Sequence, residues 1–272
     1  MDHRESKKAL GALELSAAFC SLMDNLAGEW GFVLVRTAYA ADETTDEEQW
    51  SSALAKIRAH ALWRPGRGDA AALESNAFAL AVMSNRSALA GASYGSVRTS
   101  FAAWAKEYAR YRQRGSVDEE RRESGVRMDC VLVVDEAALA SLLQAPHAAQ
   151  MPQRGVRGAE PFVVVIDAED PACAPYCGGG PYMGWMRACV TSLYNLTEDL
   201  DAMDLAQEIC PTRSYEGQIP LYDGSPRGGL VDPPGGPDGR YKFPMGTPRG
   251  SLSAQAMLDE IRRATGDTAT DV

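Results

Sequence analysis

Hydrophobic and polar residues alternate along this chain with two different periods, one typical of strands and one typical of helices. Apolar runs bounded by polar residues predict four strands. These strands span residues 30–39, 74–85, 128–135 and 161–167. For residues 74–85 the alanines favour a helix as the alternative, whereas the alternation favours the strand. Apolar residues that recur every three or four positions predict four helices, which follow the strands in turn. These helices span residues 46–62, 93–114, 136–143 and 185–200.

This alternation of strands and helices is compatible with two arrangements, a doubly wound parallel sheet and an α+β sandwich. Four strands are few for a doubly wound sheet with both faces covered. The pattern therefore favours an α+β fold in which helices pack on about four strands as a two-layer sandwich, a variant of the ferredoxin-like arrangement. The order of the strands within the sheet stays open.

Composition divides the chain into three parts. Residues 1–28 predict a polar lead and a short, loosely docked helix, and residues 29–210 predict a single α+β domain. Glycine and proline are frequent in residues 211–272, most densely between Pro233 and Pro237. Such a segment cannot form a core of its own, so it predicts a tail that either wraps the domain or is mobile.

The formal net charge of −10 and the pI of about 4.9 argue against binding of duplex DNA or of an anionic membrane surface. The sequence has no apolar stretch approaching the ~20 residues that a membrane-spanning helix requires. Its first residues also lack the uninterrupted apolar core of a signal peptide. We therefore expect a soluble, cytoplasmic protein, and its oligomeric state stays open.

Six cysteines are scattered along the chain, and only Cys173 and Cys177 lie close together. That pair lacks the second pair of ligands that a structural zinc site requires, and the three histidines are far apart in the sequence. We expect no metal and no other cofactor. In a reducing compartment the cysteines would be small apolar residues with free thiols.

Arg36, Thr37 and Tyr39 end the first predicted strand, and they are candidates for substrate binding. An arginine at the end of a strand can bind a carboxylate or phosphate through two parallel hydrogen bonds, and a tyrosine can stack or donate a proton. The structural alternative is that these residues only pack the strand end, while the acidic residues after them favour the start of a helix.

Asp135, Glu136 and Asp167 are candidate catalytic residues, because two apolar strands end in carboxylates. If Asp135 and Asp167 converge in space, at least one pKa is raised and the two form a general acid/base pair. The alternative is that Asp135 caps the helix that follows it and that Asp167 opens a turn.

Trp185 and Arg187 begin the last predicted helix, shortly after Tyr182. Aromatic rings beside an arginine suit a planar or cationic ligand, through stacking and cation–π contact. We therefore count Trp185 and Arg187 among the candidate substrate-binding residues. An equally good interpretation is that this segment only packs the helix on the sheet.

Four segments together resemble a broad set of fungal intracellular proteins, most of which lack an assigned activity. The segments are Trp30–Tyr39, Val134–Glu136, Gly184–Arg187 and Ile209–Arg213. The resemblance covers roughly residues 28–224. It implies a shared fold more than a shared reaction.

A few such fungal proteins are arginine-containing cyclodipeptide synthases, which use aminoacyl-tRNA and are associated with an Asp-Asp-x-x-Glu motif. The nearest approximations to that motif, Asp42–Asp46 and Asp199–Asp204, depart from it in order or identity. The resemblance implies a group-transfer enzyme of fungal secondary metabolism that acts on a small molecule or an aminoacyl-tRNA. Arginines within residues 98–127 would supply the local basic face that tRNA needs. The alternative is a non-catalytic protein-binding or regulatory module.

Overall fold

A computed structural model describes most of the chain, namely residues 3–26, 29–63, 78–114, 125–150, 160–174, 182–210, 219–225 and 228–231. Within these residues, seven strands form one sheet in the order β2-β1-β3-β4-β5-β6-β7. The strands are β1 Trp30–Arg36, β2 Phe78–Met83, β3 Gly125–Val134, β4 Phe162–Asp167, β5 Trp185–Cys189, β6 Ile219–Tyr222 and β7 Gly229–Val231.

Helices cover both faces of this sheet. They are α1 His3–Asp24, α2 Glu43–Ala61, the single turn α3 Arg86–Leu89, α4 Tyr94–Arg114, α5 Glu136–Gln144 and α6 Leu193–Ala202. Phe32 and Leu34 of β1 pack with α2, α5 and α6, whereas Val33 and Val35 pack with α1 and α4. Successive side chains of a strand point to opposite faces, so β1 contributes to two apolar cores. The described elements therefore form three layers.

Strand direction changes part-way across the sheet. Strands β2, β1 and β3 are parallel, but β4 runs antiparallel to β3 and β5 runs antiparallel to β4. Beyond them, β6 is parallel to β5 and β7 is antiparallel to β6. As a result, the carboxyl end of β4 lies at the edge of the sheet opposite to the carboxyl ends of β1 and β3.

The α+β class is confirmed, but the ferredoxin-like sandwich of about four strands is wrong, because the described sheet has seven strands and is mixed. Two of the additional strands, β6 and β7, belong to the glycine- and proline-rich part of the chain. Leu221 and Tyr222 of β6 are buried, and so is Leu230 of β7. Short strands can therefore join an existing sheet although they could not form a core of their own.

The third additional strand, β5, corrects the prediction that a helix begins at Trp185. Met186 and Ala188 are fully buried in the core against α2 and α6, while Trp185 projects to the other face. The segment pairs with β4 on one side and with β6 on the other. The apolar residues of Trp185–Cys189 continue the helical spacing of α6, so the pattern predicted one helix where a five-residue strand precedes α6.

Two other boundaries differ from the prediction for local reasons. Helix α2 begins at Glu43 rather than at residue 46, because Asp42 caps it: the Asp42 side chain accepts a hydrogen bond from the Thr45 N–H at 2.8 Å. Helix α1 is longer than expected, and it is firmly docked, since Phe19 and Met23 are almost completely buried against α4. None of the helices in the described ranges is long and apolar enough to cross a membrane.

Candidate functional site

Asp167, the last residue of β4, is a buried carboxylate at the wall of a cavity. Only 7% of the residue is exposed. Its Oδ2 accepts a hydrogen bond from the Tyr182 hydroxyl at 2.6 Å, and its Oδ1 accepts one from the Glu169 N–H at 2.9 Å. Both carboxylate oxygens are therefore held by neutral donors, and neither of these donors compensates the charge.

The cavity has a volume of about 500 Å³, and its lining combines carboxylates with an apolar wall. The carboxylates are Asp129, Asp167, Glu169 and Asp204, and the apolar side chains are Leu200, Met203 and Leu205. Asp167 is buried, whereas the other three carboxylates are exposed. The negative charge is thus concentrated around a space large enough for a small organic molecule.

The surroundings of Asp167 make it easier to protonate than an ordinary aspartate. Burial raises its pKa most strongly, and the charges of Glu169 and Asp204 raise it further. The hydrogen bonds from Tyr182 and from the Glu169 N–H oppose this rise. The pKa of Tyr182 is also raised, by burial and by the negative charge of Asp167, so the phenol keeps its proton and remains a donor.

Arg98 of α4 fixes the segments that carry this pair of residues. Its Nε donates to the carbonyl oxygen of Asp167 at 2.9 Å, and its Nη2 donates to the carbonyl oxygen of Gly184 at 2.7 Å. One guanidinium thus joins the end of β4 to the residue before β5. Tyr182 lies two residues before Gly184, so this link positions the tyrosine for its bond to Asp167.

Arg127 neutralises one wall of the cavity. Its guanidinium bonds to the carboxylates of Asp129 and Asp201 and to the carbonyl oxygen of Leu200. The charge of Asp129 is therefore compensated, while the charges of Glu169 and Asp204 both act on Asp167. Asp167 itself has only neutral donors on its two carboxylate oxygens among the described residues.

Asp135 and Asp167 do not converge, contrary to the prediction of an acid/base pair. In the antiparallel pairing of β3 with β4, Asp167 lies opposite Cys130. Asp135 comes five residues after Cys130, beyond the end of β3. At about 3.4 Å per residue, the two carboxyl-bearing residues are separated by roughly 17 Å along the sheet. The prediction failed because it placed the ends of both strands at one edge.

The other two predicted carboxylates are at the start of α5. Asp135 caps this helix, since its Oδ1 accepts from the Ala138 N–H at 2.8 Å, and its Oδ2 accepts from the Tyr94 hydroxyl at 2.6 Å. Glu136 is exposed in the first turn of α5, where the negative charge of a carboxylate interacts favourably with the helix dipole. Both positions match the structural alternative stated for Asp135.

Arg36 forms a buried ion pair with Asp46 of α2. Its Nη2 lies 2.5 Å from Asp46 Oδ1, its Nε donates to the carbonyl oxygen of Ala38 at 2.8 Å, and 4% of the side chain is exposed. The rings of Tyr39 and Trp50 lie 4.3 and 4.7 Å from the guanidinium carbon. These contacts fit a residue that joins β1 to α2.

Thr37 and Tyr39 also bond to the main chain at the end of β1. The Thr37 hydroxyl donates to the carbonyl oxygen of Val134 at 3.3 Å, and the Tyr39 hydroxyl donates to the carbonyl oxygen of Arg36 at 3.2 Å. Burial raises the pKa of Tyr39 to about 12. The structure therefore keeps this predicted cluster together, although its polar side chains bond to the main chain and to Asp46.

Trp185 and Arg187 lie on the face of β5 that is covered by α4. The Trp185 ring contacts the ring of Tyr94 with centroids 4.9 Å apart, and the guanidinium carbon of Arg187 lies 4.1 Å from the centre of the Phe162 ring. Asp135 and Tyr94 both act electrostatically on Arg187. Asp135, Trp185 and Arg187 are thus predicted site residues that the fold does bring near one another.

Sequence reasoning missed Asp129 and Asp204 and gave Tyr182 only a minor place. Asp129 interrupts the apolar run of β3, and an ionisable residue within a predicted buried strand is a signal that could have marked it. Asp204 follows α6 in an ordinary polar segment and carries no such signal. Only the packing of α6 beside the end of β4 brings it to the cavity.

No family model matches this chain, and comparisons with curated proteins and with solved structures give no significant match either. Among the residues that the structure describes, no three histidine, cysteine, aspartate or glutamate side chains are grouped as a metal ion would require. The site is therefore interpreted from its own geometry.

Proposed function

We propose that this protein is a small-molecule enzyme whose substrate carries a positively charged nitrogen that binds in the Asp167 cavity. The observation that supports the proposal most directly is the buried carboxylate of Asp167 with the charges of Glu169 and Asp204 beside it. An ammonium or guanidinium group would compensate the charge of Asp167, whose donors among the described residues are neutral. Leu200, Met203 and Leu205 would contact the apolar part of the same molecule.

In this proposal Asp167 acts as the general acid/base. A carboxylate with a raised pKa can hold a proton nearer to neutral pH than an ordinary aspartate, which suits a residue that must take up and return one. Before an ammonium nitrogen can attack the acyl carbon of an ester donor, it must lose a proton, and Asp167 would accept it. As the C–N bond forms, the C–O bond of the ester breaks and the nitrogen loses a second proton. One of the two protons goes to the departing alcohol oxygen and the other to solvent. Tyr182 would hold the carboxylate in place. The proposed class is therefore group transfer to an amine.

The resemblance to arginine-containing cyclodipeptide synthases suggests one specific form of this chemistry, in which an aminoacyl-tRNA provides the acyl group. The predicted basic face provides limited support for it. Arg98 and Arg127 are both engaged in bonds around the cavity. Arg110 and Arg112 lie on α4, and Arg110 is exposed beside Glu107. We therefore propose an amine as the substrate, and an aminoacyl-tRNA as the acyl donor stays a prediction.

The alternative function, a non-catalytic protein-binding module, requires an exposed apolar patch. Among the residues that the structure describes, Tyr111 is the one large hydrophobic side chain that is exposed, at 42%. A single exposed tyrosine does not make such a patch, whereas the cavity at Asp167 already combines charge with an apolar wall. The geometry therefore favours the enzyme.

Calorimetric titration with butylguanidinium and butylammonium tests the binding step. We expect the wild-type protein to bind at least one of these cations, and the Asp167→Asn variant to bind it at least about tenfold more weakly. Glu198→Gln is the matched control, because it removes one exposed carboxylate from α6 outside the cavity. Equal weakening in both variants would mean that net charge, and not the cavity, attracts the cation.

The reaction is tested by comparing metabolites of a bacterial host that expresses wild-type protein with those of a host that expresses Asp167→Asn. A new amide product that the folded variant no longer makes would support group transfer. Cation binding in the cavity without any new product would contradict the enzyme and indicate a protein that only binds the cation. Absence of cation binding would overturn the whole proposal.

A further inference from the structure

Arg187 differs from the other half-buried or buried arginines of the described sheet region. Arg36, Arg98 and Arg127 each donate at least two hydrogen bonds to carboxylate or carbonyl oxygens. The guanidinium of Arg187 makes no hydrogen bond or ion pair with any residue that the structure describes, and it contacts the ring of Phe162 instead. A guanidinium has five N–H donors. A half-buried guanidinium without acceptors among the described residues can therefore bind the acceptor atoms of a ligand.

The nearest carboxylate is already occupied. Asp135 caps α5 with one oxygen and accepts from the Tyr94 hydroxyl with the other. It acts on Arg187 through its charge, without reaching ion-pair distance. The charge of Arg187 is therefore only partly compensated, while its hydrogen-bonding capacity stays unused.

Three aromatic side chains lie near this guanidinium, and the ring of Phe162 contacts it. Trp185 lies two residues before Arg187, so both side chains project from the same face of β5. The Trp185 ring packs against Tyr94, and Phe162 lies under the guanidinium. These rings provide flat apolar surface next to a cation that can bind a carboxylate through two parallel hydrogen bonds.

We propose that Arg187, Trp185 and Tyr94 form a second binding site, which takes a small organic monocarboxylate that bears a planar or aromatic group. The carboxylate binds the guanidinium, and the planar group packs on the aromatic rings. A singly charged ligand is favoured over phosphate, because Asp135 lies close enough to repel a second negative charge.

This site is separate from the Asp167 cavity. Arg187 pairs in register with Val164, which belongs to the core under α1 and α4. Val163 and Val165 belong to the opposite core, and Asp167 follows them with the same parity. The two sites therefore lie on opposite faces of the sheet, and failure of one proposal leaves the other intact.

Titration of the full chain with benzoate, acetate and inorganic phosphate tests the second site. We expect benzoate to bind the wild-type protein with a Kd of about 1 mM or lower, and acetate and phosphate to bind at least about tenfold more weakly. Arg187→Gln should weaken benzoate binding at least about tenfold, because the charge and the double hydrogen bond are lost. Arg187→Lys keeps the charge without the planar group and should weaken it less than Arg187→Gln does.

The matched control is Arg110→Gln, which removes one exposed arginine of α4 far from β5. It should leave benzoate binding unchanged. Circular dichroism identifies variants that fail to fold, and Arg187→Lys provides a second variant if Arg187→Gln is one of them. Benzoate binding that is equal in wild-type protein and in either folded Arg187 variant would overturn the proposal, as would absence of benzoate binding to the wild-type protein.

Discussion

The Tyr182 hydroxyl lies 2.6 Å from Asp167 Oδ2, and this bond lowers the pKa of a carboxylate whose pKa burial raises. Tyr182→Phe removes the donor and keeps the ring. We therefore expect the pKa of Asp167 to rise further in this variant, so that cation binding is lost at a higher pH as the solution is acidified. The measurement is the pH dependence of butylguanidinium binding.

Tyr222→Phe is the matched control for that experiment, because Tyr222 donates a hydrogen bond of 2.5 Å to Asp199 outside the cavity. It should leave the pH dependence of binding where it is in the wild-type protein. A Tyr182→Phe profile that coincides with the wild-type profile would show that Asp167 does not govern cation binding.

Neutralising Asp167 should increase stability at neutral pH while it removes function. The pKa of this residue is raised in the folded state, so the folded protein binds its proton more tightly than the unfolded chain does. Its contribution is fully favourable below the unfolded pKa of about 3.9 and is lost as the pH rises through the folded pKa. Asp167→Asn should therefore unfold at a higher urea concentration at pH 7, and a large loss of stability would contradict the pKa direction.

The buried pair of Arg36 and Asp46 should be a major determinant of stability. Arg36→Met removes the cation and leaves a carboxylate with 11% of its side chain exposed, compensated only by main-chain donors such as the Ala40 N–H. Breaking a buried ion pair in this way costs about 3–5 kcal/mol. Urea unfolding at neutral pH measures the loss. The exposed pair of Arg110 and Glu107 supplies the comparison, since Arg110→Met should cost less than about 1 kcal/mol.

His60 should make folding sensitive to mild acid. The residue is fully buried, its Nε2 donates to the carbonyl oxygen of Pro146 at 3.1 Å, and its Nδ1 has no partner among the described residues. Burial lowers the pKa most strongly; Lys56 and His147 lower it as well, whereas the Pro146 bond and Glu160 raise it.

The unfolded chain therefore takes up the His60 proton more readily than the folded protein does. The stability that neutral His60 contributes is complete above the unfolded pKa of about 6.5 and is lost as the pH falls through the folded pKa. Urea unfolding between about pH 7 and pH 5 should show this loss, and His60→Gln should reduce it. His3→Gln changes the histidine at the start of α1, which does not act on His60, and is the control. An unchanged slope in His60→Gln would assign the acid sensitivity to other groups.

Gly31 should tolerate no side chain. Its φ is +148°, and a Cβ at this position would lie 1.9 Å from the carbonyl oxygen of Ala79 on the neighbouring strand. Gly31→Ala must therefore separate β1 from β2 or distort both, and we expect a loss of at least about 3 kcal/mol. Gly95→Ala is the control, because a Cβ there meets nothing within 4 Å. Comparable stability of the two variants would contradict the close approach of β1 and β2.

Much of the secondary structure could be predicted from the chain alone, because its signals are local. The strands at Trp30, Phe78, Gly125 and Phe162 and the helix at Tyr94 all follow from the spacing of apolar residues. Where two local signals overlap, the prediction failed. Trp185–Cys189 has apolar positions that continue the period of α6, and only its pairing between β4 and β6 makes it a strand.

The candidate site could be predicted only in part. The chain itself marked Asp167 as a carboxylate at a strand end, and it marked Trp185 and Arg187 as an aromatic and cationic group. It did not indicate Asp129 and Asp204 as neighbours of Asp167, because their proximity depends on contacts between distant segments. It also could not show that Arg36 is paired with Asp46, ten residues away across a turn.

The sequence by itself determined four of the seven described strands and most of the helices, together with their apolar faces, since period and side-chain type act within a few residues. The tertiary structure decided the direction of β4, and with it which residues lie next to Asp167. An antiparallel strand sends its last residue to the opposite edge of the sheet, which separates Asp167 from Asp135 and places it beside Asp204. Strand direction depends on long-range pairing, and no local pattern encodes that choice.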